Sequence, residues 1–266
     1  MPETPPRIVY EQVLDKYDWA EKHIQKLHSV LRDIAKTKPA STFRKTDPET
    51  GDVTYYVEKL PVLPSSIPLL TGDILYSLRG ALDYLACGLT KVPAHDTKFP
   101  IAPDAKTYKS QLDRFIPGLR QEALETFDRI RPYKGGNLFL WELHRLNIID
   151  KHRFLLTMCV INPAKRFAPD KVPPPDGSAP KVISIKTPSG IEYIVEFTED
   201  APVPLHTGKE LLTVPASQAK EDVRFYFAVG IDELDLAGGI ALDMLLDFIF
   251  FEVGLTIGRL APFLIR

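Results

Sequence analysis

The sequence predicts an α+β fold: a mainly helical bundle core carrying a β-hairpin and a small antiparallel β insertion. Three observations predict it. Apolar residues recur at three- and four-residue steps near both ends and in the middle of the chain, which is the helical period. Short runs of β-branched and aromatic residues flank turn clusters. Helices and strands also come in blocks rather than in βαβ alternation. With 266 residues, 44% hydrophobic and 26% charged, the chain can bury a full core without staples.

The elements follow in order. From Glu11 to Lys36, Val13, Tyr17, Ala20, Ile24, Leu27, Leu31 and Ile34 line one face of an amphipathic helix. Thr42–Thr46 and Val53–Leu60 flank Asp47-Pro48-Glu49-Thr50-Gly51-Asp52, where Pro fixes φ and Gly permits positive φ, so 42–60 is a hairpin. Pro61, Pro64 and Pro68 close it, since proline continues neither a ladder nor a helix interior. A second helix, about Leu69–Leu89, carries the stripe Leu75, Leu78, Leu82, Leu85 and Leu89. Another starts near Asp104, and a fourth runs from Pro117 to Ile130, where Pro132 stops it.

Gly135 and Gly136 open the way to a long helix, Asn137–Ile161, with Asn137 as its N-cap. Pro163–Pro180 holds six prolines and reads as an exposed loop. Strands follow at Val182–Lys186, Ile191–Phe197, Leu211–Val214 and Val223–Val229. The closing helix, about Gly239–Leu260, is apolar nearly all round, so it belongs inside a bundle. Its return to the helical core makes 182–229 an insertion and the chain a single domain, with helical segments at about 11–36, 69–161 and 239–264.

Composition excludes several classes. Thirty-three Lys plus Arg against 35 Asp plus Glu give a formal charge of −2, so no global field favours nucleic acid or an acidic membrane. Asp243, Asp247, Glu252 and Arg259 interrupt the one apolar stretch long enough to suggest a membrane span, Ile240–Ile265. The start, MPETPPRIVYEQ, lacks a signal peptide's basic and apolar regions. Cys87 and Cys159, both expected in apolar helical stretches, read as buried thiols of a reducing compartment. A cytoplasmic protein is expected.

The long helix carries the functional question. Its sequence, LFLWELHRLNIIDKHRFLLTMCVI from Leu138, is apolar in almost every direction, so its polar residues cannot all reach water. His144, Asn147 and Lys151 share one face, Arg145 and His152 a second, and Glu142, Asp150 and Arg153 a third. The structural explanation is a network in which Arg79 and Asp83 meet Asp150, His152 or Arg153, each charge paired against its desolvation cost. The functional explanation is that Arg145 and His152 face a cleft, where a guanidinium neutralises phosphate and an imidazole moves a proton.

Other constellations promise less. Asp243, Asp247, Gly254 and Gly258 share a stripe of the last helix, whose aspartates could meet His144 or Lys151, but no ExxH or HxxxH pairing supports a metal. No cofactor is implied, because no GxGxxG, GxxxxGK[ST] or GxSxG motif occurs. His23, His28, His95 and His206 are expected to be solvated, and Cys159 to pack seven residues from His152 on one helix face. Exposed aromatics interleaved with basic residues are expected to be absent. Arg129–Lys134, RIRPYK, is the only local basic run and reads as a solvated helix end.

Two resemblances add to this. LRGALDYLA (Leu78–Ala86), KFPI (Lys98–Ile101) and LNIIDKHR (Leu146–Arg153) resemble, over most of the chain, a family of functionally uncharacterised bacterial cytosolic proteins. Arg145, six intervening residues and His152 resemble the Arg-x4-6-His signature of the HEPN superfamily, helical bundles that include metal-independent ribonucleases. Here Leu146 stands where the superfamily's nucleases usually carry Asn, Asp or His. The second resemblance implies a homodimer, with Arg145 stabilising the phosphorane and His152 acting as base or acid.

Three functions are thus expected, in this order. The first is a non-enzymatic helical protein that binds a protein partner or self-associates. The second is a HEPN-type ribonuclease acting on RNA through Arg145 and His152. The third is a small-ligand binder using the polar helix face.

Overall fold

The computed structural model describes residues 6–37, 39–90, 93–152, 155–161, 166–167, 181–186, 192–197, 204–216, 227–232 and 240–265. They form an α+β fold of helices and small antiparallel sheets, as the sequence predicts. The chain divides into two compact units: a helical one containing the first helix to Val30, Ser65–Leu156 and the chain from Asp243, and a β-rich one made of Leu31–Pro64 and Thr157–Leu242.

The helical unit holds most of α1 (Pro6–Thr37), then α2 (Ser66–Leu89), α3 (Ala105–Phe115), α4 (Gln121–Ile130), α5 (Leu138–His152) and α6 (Leu242–Leu260). The helical period sets their packing. Val13, Ala20, Ile24 and Leu27 of α1 are buried, as are Leu75, Leu78, Leu82, Leu85 and Leu89 of α2. Buried side chains of α5 are Leu140, Leu143, Leu146 and Ile149. Helix α5 packs against α2, and its Phe139 ring meets Phe248 of α6 with centroids 5.2 Å apart. The three most apolar helices therefore share one core.

Two side chains set how closely α1 and α6 approach. Tyr17 stacks on Phe250, centroids 4.1 Å apart, and its hydroxyl donates to the Phe250 carbonyl at 3.1 Å. That hydroxyl lies where a Cβ on Gly254 would stand, so only glycine admits it. Asp247 pairs with His28 of α1 at 3.3 Å rather than with His144 or Lys151. The expectation that His23 and His28 are solvated is likewise corrected, since both are partly buried.

Caps and turns explain most boundaries. Asp104 caps α3, accepting from the Thr107 N–H at 2.7 Å. Helix α4 begins at Gln121 and not at Pro117, because Gly118 turns the chain with φ +75° before the helix can start. Helix α2 starts at Ser66, so Pro68 falls in its first turn, where its missing N–H costs nothing.

The largest correction concerns the long helix. It ends at His152, and Met158–Ile161 forms β3 instead. Met158, Cys159, Val160 and Ile161 pair antiparallel with Ile231, Gly230, Val229 and Ala228 of β8 (Ala228–Ile231). A four-residue apolar run is equally compatible with helix and strand, and a partner some 70 positions onward decided it. Cys159 accordingly sits on a strand and shares no helix face with His152.

The β-rich unit also holds β1 (Ser41–Thr46), β2 (Val53–Lys59) and β7 (Glu210–Val214) in one antiparallel sheet of order β1-β2-β7. Val53, Tyr55 and Val57 alternate inward on β2. The β1–β2 turn is held by Asp47, whose Oδ1 accepts from the N–H groups of Glu49 and Thr50 at 2.8 and 3.0 Å. Gly51 supplies the positive φ of 75°. A third sheet, β4-β6-β5, contains the expected second hairpin, β5 (Lys181–Lys186) and β6 (Glu192–Phe197), with β4 at Arg166–Phe167. Of the expected 163–180 loop and Val223–Val229 strand, 163–165, 168–180 and 223–226 lie outside the described residues.

Candidate functional site

Helix α5 is fixed at its start by Asn137. The Asn137 Oδ1 accepts from the Leu140 N–H at 3.1 Å, and its Nδ2 donates to Glu252 Oε1 of α6 at 2.7 Å. One side chain thus caps a helix and ties it to a neighbour. Asn137→Ala should cost about 1 to 2 kcal/mol through loss of the cap, read from urea unfolding by tryptophan fluorescence. That signal reports the helical unit, because both tryptophans, Trp19 and Trp141, lie in it.

Arg79 and Asp83 of α2 form the best-defined polar cluster. Arg79 is 6% exposed. Its Nη2 donates to Asp83 Oδ1 at 2.8 Å and to the Phe99 carbonyl at 2.6 Å, while Nε reaches Asp83 Oδ2 at 3.3 Å. Asp83 Oδ1 in turn accepts from the Phe99 N–H at 2.9 Å. A four-residue helical step puts the two side chains side by side. Together they hold both backbone groups of Phe99, whose ring is fully buried. Among the described residues an extended backbone segment, and not Asp150, completes this pair; the other two expected partners, the His152 side chain and Arg153, lie outside the described residues. Among the described residues Arg79 Nη1 has no hydrogen-bond partner.

The polar residues of α5 divide by direction. His144 is partly buried, with the Trp141 ring 6.0 Å away. Burial, with the positive charges of Arg79, Lys98 and Arg145, brings its imidazole down to about 4, so it is neutral at pH 7. Arg145 lies over the Trp141 ring at 5.8 Å. Lys98 lies over the Phe115 ring at 4.5 Å. Glu142 points the other way, since two residues span about 200° of helix. It is 4% exposed, its Oε2 has no partner among the described residues, and burial pushes it up to about 8 against the pull of Arg145 and Lys134. Glu142 and His144 therefore do not form an acid–base pair.

Asn147 is buried. The Asp150 carboxylate rests against Gly72 of α2, where a Cβ would stand 2.6 Å from Oδ2. Burial and the nearby Asp73 raise Asp150, partly offset by Lys151, and its Oδ1 has no partner among the described residues. Lys151 reaches out over the Tyr76 ring at 4.7 Å. The side chain of His152 and the whole of Arg153 lie outside the described residues, as does any juxtaposition of His152 with Arg145.

One feature was not evident in the sequence. Tyr76 and Tyr84 of α2 are exposed, and Lys16 of α1 lies over both rings, at 5.2 and 5.9 Å. With Lys151 on its other flank, Tyr76 carries two cations. Exposed aromatics do alternate with basic side chains here, contrary to the expectation. The residues come from three separate helices, so no local window contains them.

Among the described residues no three His, Cys, Asp or Glu side chains are grouped to hold a metal ion. No described helix is long and apolar enough to cross a membrane. Against models of protein families, curated proteins and solved structures, the chain finds no match.

Proposed function

We propose that the chain is a non-enzymatic helical protein that self-associates through the outer face of α2 and α5. The observation that carries this reading is an apolar and aromatic face left uncovered among the described residues. Leu69, Tyr76 and Tyr84 are 51%, 52% and 41% exposed and follow one another at seven- and eight-residue steps along α2. Ile148, 37% exposed, precedes Lys151 by the three-residue step that puts neighbours on one helix face of α5. Contact between Lys151 and Tyr76 joins the two rows. Grouped exposure of large apolar side chains marks interaction surfaces, whereas scattered single ones do not.

Charge favours a second copy as the occupant. Asp73 and Asp150 repel one another at one end of this face, and Lys16 and Lys151 crowd Tyr76 beside them. Isologous packing of a second copy on this face can oppose the acidic pair of one copy to the lysines of the other. The family suggested by the LRGALD and IDKHR segments is consistent with this reading, since LRGALD and the described residues Ile149–His152 lie on α2 and α5. A reducing, cytoplasmic setting suits it as well. Cys87 and Cys159 are free thiols, and burial raises both, Cys159 to about 11, so they stay protonated.

The test is oligomeric state by light scattering and sedimentation. Wild type should be dimeric at micromolar concentration, and Tyr76→Asp monomeric with an unchanged circular dichroism spectrum, because Tyr76 is exposed and its loss leaves the core intact. A wild type that stays monomeric to about 100 μM overturns the reading, since such an affinity is too weak for a stable dimer. So does cleavage of RNA in the presence of a chelator that both Arg145→Ala and His152→Ala abolish, which would put a HEPN-type ribonuclease in its place.

A further inference from the structure

We propose that self-association through α2 and α5 is proton-linked: Asp150, seated beside Asp73 where the two helices pack, must be ionised for a second copy to dock, so the dimer dissociates in acid. The inference rests on the self-association reading and names the regulation of that face.

Packing places the acidic pair. The Asp150 carboxylate lies on Gly72 of α2, with its oxygens 2.6 and 2.9 Å from where a Cβ would stand, so glycine is what leaves room for it. Its Oδ1 is buried there without a hydrogen-bond partner among the described residues. Asp73, the next residue of α2, is exposed. It follows Leu69 by four residues and precedes Tyr76 by three, which puts it in the exposed row of α2.

The same face holds two cations close by. Lys151 and Lys16 lie over the Tyr76 ring at 4.7 and 5.2 Å. The Lys16 stem passes 3.8 Å from where a Cβ on Gly80 would stand, midway between Tyr76 and Tyr84. Both signs of charge are thus fixed side by side, as a self-complementary contact needs.

The charged groups facing Asp150 among the described residues are Asp73 from α2 and Lys151 from its own helix. Burial and then Asp73 raise its carboxyl from the ordinary 3.8, and Lys151 pulls the other way. Docking changes this balance. Oδ1 is already sealed, so further burial adds little, whereas a lysine of the second copy supplies the missing donor and favours the ionised form. The carboxyl therefore titrates lower in the dimer than in the protomer. Affinity is full above the protomer's raised value and is lost as pH falls from there toward the docked value. Each carboxyl changes the dissociation constant by at most about tenfold per pH unit, and two-fold symmetry makes that about a hundredfold.

The experiment measures the dimer dissociation constant of the full chain by sedimentation from pH 7.5 to about pH 4, with circular dichroism confirming the fold at each pH. The wild type should lose at least about tenfold in affinity across this range. Dilution calorimetry in two buffers of different ionisation enthalpy should show protons taken up on dissociation. Asp150→Asn should bind more weakly at pH 7.5 and show no pH dependence. Asp73→Asn should move the loss of affinity to lower pH, because it removes a like charge and leaves Asp150 able to titrate; this keeps the test decisive should Asp150→Asn misfold. A dimer whose affinity is unchanged or rises toward acid, or Asp150→Asn with the wild-type pH profile, overturns the proton link and leaves self-association standing. A wild type that is monomeric at every pH overturns both.

Discussion

Glu142→Gln should make the helical unit more stable at pH 7 by about 2 to 3 kcal/mol, an unusual result for a substitution at a buried position. The cause is a carboxyl group held far from its ordinary range. Glu142 titrates near 4.5 when solvated and near 8 in the fold, because burial on α5 disfavours its charge more than Arg145 and Lys134 favour it. Between those values the folded chain carries one more proton than the unfolded chain. Stability from this group is thus complete below pH 4.5 and falls with rising pH until about pH 8, at roughly 1.4 kcal/mol per pH unit. Glutamine keeps the shape and one hydrogen-bonding oxygen but does not titrate.

His144 opposes this slope over part of the range. Its imidazole is depressed from 6.5 to about 4, so its contribution is complete above pH 6.5 and is lost as pH falls toward 4. From about pH 4.5 to 6.5 the two slopes cancel, and from 6.5 to 8 only that of Glu142 remains. Urea unfolding of the wild type should accordingly show a plateau and then a decline. Glu142→Gln should show a rise to pH 6.5 and then a plateau. A wild type with no decline between pH 6.5 and 8 would mean that the carboxyl is solvated or paired.

How much of this was legible in the sequence depends on whether the cause was local. The β1–β2 turn was legible because Asp47 and Gly51 act within a few residues of themselves. So were the caps of α3 and α5, since Asp104 and Asn137 bond N–H groups three positions on. The end of α5 was not, because Met158–Ile161 becomes a strand only by pairing with β8. Within the site, the four-residue spacing announced the Arg79–Asp83 contact, but nothing near either residue showed that the backbone of Phe99 would complete it. The exposed tyrosines left a usable trace: Leu69, Tyr76 and Tyr84 fall off the leucine stripe of α2. Large apolar residues displaced from a helix's own buried stripe deserve to be read as surface before they are read as core.

Asp83→Ala should destabilise the helical unit by about 3 kcal/mol, toward the lower end of what breaking a buried pair costs, since the Asp83 side chain is 34% exposed. The cost arises at its partners. Arg79, with a side chain only 7% exposed, is left with the Phe99 carbonyl as its one acceptor among the described residues. The Phe99 N–H loses its acceptor as well, and the segment that seats the buried Phe99 ring against Phe127 is loosened. Asp83→Asn separates the two losses: its amide oxygen can still accept from Phe99, so it should cost distinctly less than the alanine. Arg79→Met combined with Asp83→Ala should recover part of the stability lost in Asp83→Ala alone, because methionine leaves no buried charge to strand. If instead Asp83→Ala unfolds at the wild-type urea midpoint, the carboxylate contributes through solvent only, and Arg79 is held in place by the Phe99 carbonyl without it.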